Sequence, residues 1–338
     1  MNKKRVLAML LAGAMALSMT ACGGNSASTD DSGNDGGASA SGGSYKVSVI
    51  LKTLAAEYWQ YVKSGAEDYA SEHSDKVTVE VKGPSSETAF DEMQNMIETD
   101  LSSGSYDGVI ISPLQSDTAA QLVSGTKLPI VAIDTNFEAP EVKSFVGTGN
   151  EAAAKKGGEA AVEAAKAAGW TDIKCIEIAG VQGDQTNTAR MNGYKAGVEE
   201  AGGTFLSDEV QYADATADRA TTAMEAIMQT HPEGIAIICA NNDDMAMAAA
   251  RAAQGHDAYK NTIFLGFNGD RAACEAILAG QMTMSVAQMA YEMGYKAVET
   301  MVQVLDGETV DEFVDSGSDV VTPDNAQERL DTLKTQLH

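Results

Sequence analysis

Cysteine is nearly missing from this 338-residue chain. There are four, Cys22, Cys175, Cys239 and Cys274, with no CxxC spacing, which excludes a disulfide-built scaffold and the common zinc-ribbon patterns. Cations are scarce as well: 23 Lys and Arg stand against 49 Asp and Glu, for a formal charge of −26. A surface that acidic repels phosphate backbones and anionic lipid, so neither a general nucleic-acid role nor a membrane-surface role is expected. Only four histidines occur (His73, His231, His256, His338), none with a partner at metal-ligand spacing, and no metal site is expected. GxSxG, HExxH and P-loop patterns are absent, so no catalytic residue and no cofactor is expected. What is present is ample apolar material, 44% of residues against 21% charged. That suffices for a sizeable core and about two domains.

The chain opens with a basic stretch, Met1–Arg5, then twelve mostly apolar residues, Val6–Leu17, then Ser18-Met19-Thr20-Ala21-Cys22. The apolar run is too short for a stable membrane anchor and has the order of an export signal. Met-Thr-Ala-Cys resembles the bacterial lipoprotein box, although Met19 replaces the usual Leu or Val. Residues 1–21 are therefore expected to be a signal peptide and Cys22 the lipidated first residue of the mature protein. The alternative is an ordinary signal peptide with Cys22 incidental. Residues 22–44 contain Gly, Ser, Ala, Asn, Asp and Thr after the cysteine and no large apolar side chain, so they read as a flexible tether. A long tether after a lipobox resembles a Gram-positive cell-surface arrangement.

From Tyr45 onward, short β-branched runs alternate with stretches of helical period. Strands are expected at 46–51, 77–82, 108–112, 129–134 and 144–147, and again at 174–179, 205–211, 234–240, 263–267 and 282–287. Helical periods fall between them, at 57–72, 88–103, 117–124, 150–168, 186–201, 216–230, 243–254, 270–279 and 290–305. Continuously apolar strands joined by helices imply parallel sheets covered on both faces. Ten strands suit two doubly wound, Rossmann-like lobes better than one sheet. An internal echo agrees: VIISPL with PIVAIDTN (109–114, 129–136) parallels IAIICANN with IFLGFNG (235–242, 263–269). Each strand ends in polar residues, where open α/β sheets bind ligands. Gly147-Thr148-Gly149-Asn150-Glu151-Ala152 has the GxGxxA form of a dinucleotide loop. A lone instance in mid-chain of an exported protein is not read as a cofactor site. Cys175, Cys239 and Cys274 fall in apolar strands or a helix and read as buried inert thiols.

NTARMNGY (187–194), NNDDMAMAA (241–249), GFNGD (266–270) and SVAQ (285–288) resemble the motifs of the solute-binding proteins of ABC importers, specifically the ribose- and galactose-binding group with the type I periplasmic binding fold. The resemblance runs from about Tyr45 to the C-terminus. It implies an N-terminal lobe of 45–147 plus 289–310, a C-terminal lobe of 148–288 plus 311–338, and a three-segment hinge between them. It further implies a monomer that captures a monosaccharide or similar polyol by closing on it and hands it to a membrane permease, with no enzyme activity. A sensory module presenting its closed form to a signalling partner has the same requirements and stays open here.

The family's ligand residues fall on Tyr58 and Trp59, whose rings would face the sugar, and on Asp134 with Thr135, where the family has Asp-Arg. They continue at Arg190, at Asn242 (also a candidate helix cap), at Asn268 in place of an aspartate, and at Gln288. The changes at Thr135 and Asn268 leave the particular sugar open.

Overall fold

The computed structural model describes residues 44–337. The expected signal peptide, the lipidation at Cys22 and all but the last residue of the tether lie outside them, as does His338. The first half runs β1 (Tyr45–Ile50), α1 (Glu57–Glu72), β2 (Val77–Lys82), α2 (Phe90–Ser103), β3 (Gly108–Ile111), α3 (Ser116–Val123), β4 (Ile130–Ile133) and β5 (Val142–Gly147). The second continues α4 (Asn150–Ala167), β6 (Lys174–Ala179), α5 (Gln185–Glu200), β7 (Thr204–Phe205), β8 (Gln211–Tyr212), α6 (Ala217–Thr230), β9 (Ile237–Ala240), α7 (Asp243–Ala252), β10 (Ile263–Asn268), α8 (Arg271–Leu278) and β11 (Met284–Gln288). The chain then adds α9 (Ala290–Leu305), β12 (Phe313–Asp315), β13 (Ser318–Val321) and α10 (Ala326–Lys334).

Two sheets form, ordered β12-β5-β4-β3-β1-β2 and β13-β11-β10-β9-β6-β7, with β8 also on β6. β13 runs antiparallel to β11, while the remaining pairings described are parallel. Central strands such as β3 (GVII) and β9 (IICA) are buried at every position, as sheets covered on both faces require. In the first sheet, Ile50, Val109 and Ile111 pack with Met93, Ile97 and Val123 of α2 and α3. Val47, Val49 and Ile110 face Val62, Ala66, Met293 and Val298 of α1 and α9. In the second, Cys175, Cys239 and Phe267 meet Ala161, Val162, Tyr194 and Val198 of α4 and α5.

Both sheets reverse direction of growth at one place, between β1 and β3 and between β6 and β9. These are the topological switch points at which doubly wound sheets hold ligands, outside the carboxyl ends of the strands.

Three details depart from the sequence reading. The strand expected over 205–211 is broken into β7 and β8 by a single 3-10 turn at Ser207–Glu209, because Ser-Asp-Glu favours turn hydrogen bonding over a ladder. β13 and α10 carry too few apolar residues to have stood out. The lobe boundary placed after 310 moves: β12 pairs with β5, so residues through Asp315 belong to the first sheet and the third crossing falls at Ser316–Gly317. Its hydroxyl-bearing residue meets the first crossing, Thr148 Oγ1 lying 3.3 Å from Ser316 Oγ. The GxGxxA segment is that first crossing. The middle crossing is held by Arg329 of α10, which donates to the carbonyls of Gln288 (2.7 Å) and Gly269 (3.2 Å).

Candidate functional site

The carboxyl ends of both sheets open onto one cleft. On the first-lobe side Asp134 follows β4 with φ of +62°, a left-handed turn that Asp tolerates better than most residues. It is 3% exposed and accepts from Tyr58 Oη at 2.8 Å and from Thr135 Oγ1 at 2.9 Å. Tyr58 and Trp59 belong to the first turn of α1, edge to face at 4.9 Å, and both line the cleft. Burial first, then Asp134, lifts the Tyr58 phenol well above its ordinary range, so it stays a neutral donor. Trp59 Nε1 donates to Glu87 at 3.0 Å. Burial raises the Glu87 carboxyl, opposed by Lys52.

Lys52, directly after β1, reaches across the cleft to donate to Asp184 of the other lobe and lies 3.9 Å from Asp134. Burial works against its charge, but Asp184, Asp134 and Glu87 together outweigh that and raise its pKa. It therefore remains an ammonium that bridges the lobes. Asp184 also caps α5, accepting from Asn187 N at 2.9 Å.

On the second-lobe side, Arg190 of α5 is 4% exposed. It donates to Asn150 Oδ1 (2.9 Å) and the Asn241 carbonyl (2.8 Å), and its guanidinium stacks 3.8 Å from the Phe267 ring centre. Three restraints on a rigid fork leave its remaining N–H groups pre-aimed. Asn242 caps α7 through Met245 N (2.9 Å) and donates to the Ala215 carbonyl (3.2 Å), so the cap and cleft-lining roles coexist. Gln288 Nε2 donates to Asn268 Oδ1 at 3.0 Å.

Glu177 of β6 feels the Arg190 charge, is fully buried, and has no hydrogen-bond partner for either oxygen among the described residues. Burial pushes its carboxyl up to about 8, against the pull of Arg190. The folded chain thus holds this proton more tightly than the unfolded one. Its stabilising effect is full below about pH 4.3 and declines as pH rises to about 8, by no more than ~1.4 kcal/mol per pH unit. Glu177→Gln keeps the shape and removes the titration. Its melting temperature should rise relative to the parent between pH 5 and pH 8, reaching a difference of several degrees. Parallel melting profiles would show that the carboxylate is not held in its neutral form.

Seven of the eight residues expected from sequence line the cleft: Tyr58, Trp59, Asp134, Arg190, Asn242, Asn268 and Gln288. Thr135 does not. It is fully buried, and its hydroxyl lies 2.6 Å from Thr186 Oγ1, tying lobe to lobe instead of facing the cleft. Sequence reasoning missed Lys52, Glu87, Asp184, Asn241, Asp244 and Asp270, all in the lining. Lys52 carried a usable signal, a lysine ending an apolar strand run. Asp184 carried a weaker one, a cap-type residue before a helix.

A family model described as periplasmic binding protein domain matches residues 47–309. The D-allose-binding periplasmic protein of Escherichia coli is 30% identical over 264 residues, 75% of this chain and 82% of that one. The ribose import binding protein of Bacillus subtilis is 26% identical over 274 residues, 80% and 85%. Among solved structures, a carbohydrate transporter solute-binding protein from Agrobacterium radiobacter in complex with D-arabinose superposes with TM-score 0.77 at 23% identity, covering 87% of this chain and 99% of that one. The two lobes are those of the type I periplasmic binding fold, and the family consists of solute-binding proteins and not enzymes. With β-sheet order, switch-point cleft and sequence in agreement, the chain belongs to the periplasmic binding protein family.

Proposed function

We propose that this protein captures a monosaccharide or closely related polyol in the interlobe cleft and delivers it to the permease of an ABC importer, held at the membrane by lipidated Cys22. The observation that carries the reading is the convergence, at both switch points, of an aromatic pair with polar groups from each lobe: Tyr58, Trp59 and Asp134 facing Arg190, Asn242, Asn268 and Gln288. Aromatic faces suit the apolar C–H face of a sugar ring. Charge-assisted and bidentate hydrogen bonds suit its hydroxyls. Relatives named for ribose and allose binding support the same class.

A ligand that touches both lobes binds the closed arrangement better than an open one and so shifts the population toward it. The crossings at 147–149, 288–289 and 316–317 would serve as the hinge, with 45–147 and 289–315 moving against 148–288 and 318–337. Several hydrogen bonds of about 1–3 kcal/mol each cover micromolar affinity after ordering costs.

A thermal-shift screen of the purified protein against monosaccharides, polyols, nucleosides and amino acids tests this. A true ligand at one hundredfold its Kd should stabilise the fold by about 2.7 kcal/mol. A shift with amino acids or nucleosides alone would keep the fold and reject the ligand class.

A further inference from the structure

The cleft is unevenly charged. Lys52 stands against Asp134 and Asp184 at one side. On the second-lobe wall, Asp270, buried, and Asp244, at its solvent-exposed mouth, line the same cleft; Asp270 accepts from Asn268 Nδ2 at 3.3 Å, and neither carboxylate forms an ion pair among the described residues. Both lie at helix N-termini, where a carboxylate ordinarily serves as a cap, yet neither does so. The α7 cap is Asn242, and Asp270 makes no side-chain capping bond to α8. Asp243 between them is engaged, accepting from Ser285 Oγ at 2.6 Å and Asp270 N at 3.0 Å. Burial and the neighbouring carboxylates, Asp243 first, raise Asp270 well above the ordinary carboxyl range, and burial raises Asp244. Helix dipoles of about half a charge ease this without supplying a counter-ion.

A separate observation concerns neutral groups. Asn241 Oδ1 and Gln288 Oε1 belong to cleft-lining residues that are 8% and 0% exposed, and neither atom has a hydrogen-bond partner among the described residues. Both are acceptors. Beside the free N–H groups of Arg190, this wall thus carries two carboxylates without a cationic partner and two amide oxygens without a donor, and a buried acceptor left unmet is costly. A ligand hydroxyl brings one donor together with two acceptor lone pairs, whereas a primary ammonium brings three donors, no acceptor and a positive charge.

We infer that the ligand is an amine-bearing monosaccharide or aminated polyol, its ammonium received by Asp270 and Asp244 with the amide oxygens of Asn241 and Gln288 as further acceptors. This rests on the sugar-binding reading above and narrows it.

Titration calorimetry of the purified protein at pH 7 can decide it, using 2-, 3- and 6-amino-deoxyhexoses and 1-amino-1-deoxy polyols beside their neutral parents and N-acetyl forms. At least one amine should bind tenfold or more tighter than its parent, and its N-acetyl form should not bind, since acetylation removes the charge and adds an acceptor. Asp270→Asn should cut the preference for the amine at least tenfold. Asp244→Asn should act in the same direction from a solvent-exposed position, which guards against a folding defect in the first variant. Neutral parents binding as tightly as every amine would overturn the inference and leave the sugar-binding reading intact. Absence of binding by all neutral and aminated sugars would overturn both.

Discussion

Replacing Lys52 with methionine is expected to weaken ligand binding by at least a hundredfold while leaving the lobes folded. Lys52 is 5% exposed, and its ammonium sits between Asp184 and Asp134, themselves 6% and 3% exposed. Methionine keeps the bulk and removes the charge, so two buried carboxylates face each other across the cleft with their cation gone. Breaking a buried ion pair from one side costs about 3–5 kcal/mol. That cost applies when the cleft is shut, because opening it returns both carboxylates to water. It should therefore appear as poorer closure and not as unfolding. About 3 kcal/mol is two decades in affinity. Titration calorimetry supplies the affinity, and small-angle scattering with saturating ligand reports the compact fraction. Adding Asp184→Asn should recover part of the loss, since it removes one orphaned charge while asparagine still caps α5. An affinity within threefold of the parent would mean that the Lys52 bridge does not govern closure.

The largest expected loss of stability comes from two residues outside the cleft lining. A Cβ at Gly65 of α1 would lie 1.9 Å from the Tyr291 carbonyl oxygen, and one at Gly294 of α9 would lie 1.9 Å from that of Val62. Each clash is with helix backbone, which cannot swing aside as a side-chain tip can. Alanine at either position must push α1 and α9 apart and loosen Val62, Ala66, Met293 and Val298 where the first sheet is covered. Overpacking usually costs about 1–3 kcal/mol, and a backbone contact this short belongs at the top of that range. A fall in melting temperature of roughly 6–10 °C follows for a domain of this size.

Gly104→Ala is the comparison. Its φ of +63° strains an L-residue, but nothing lies within 4 Å of the new Cβ, so about 1 kcal/mol is expected. Equal melting temperatures for the three variants would show that the α1–α9 contact is not as close as described. The second lobe repeats the device, Gly193 and Gly197 of α5 lying against the Glu151 and Lys155 carbonyls of α4.

Much of the site was legible because a doubly wound sheet puts its functional residues at one local landmark, the polar residue that ends an apolar strand. Asp134, Asn242 and Asn268 stand at such strand ends, and the family resemblance marks them as ligand residues. Arg190 lies within a motif on α5, and its three restraints come from Asn150, Asn241 and Phe267, which are distant in sequence. Asp244 and Asp270 stand at the starts of α7 and α8, where acids are common, and only the three-dimensional lining shows them facing the cleft.

The sequence by itself determined the alternation of strands and helices, the two-lobe arrangement and the polar strand ends, because each follows from local periodicity and turn chemistry. Tertiary structure alone decided that Lys52 meets Asp184 from 132 residues away, that Thr135 joins Thr186 and leaves the cleft lining, and that β12 completes the first sheet. It also decided which glycines face a neighbouring helix. Each of these is a choice of partner, and partners are selected by packing and by the need of buried charges and hydroxyls for one another. No periodicity along the chain records that.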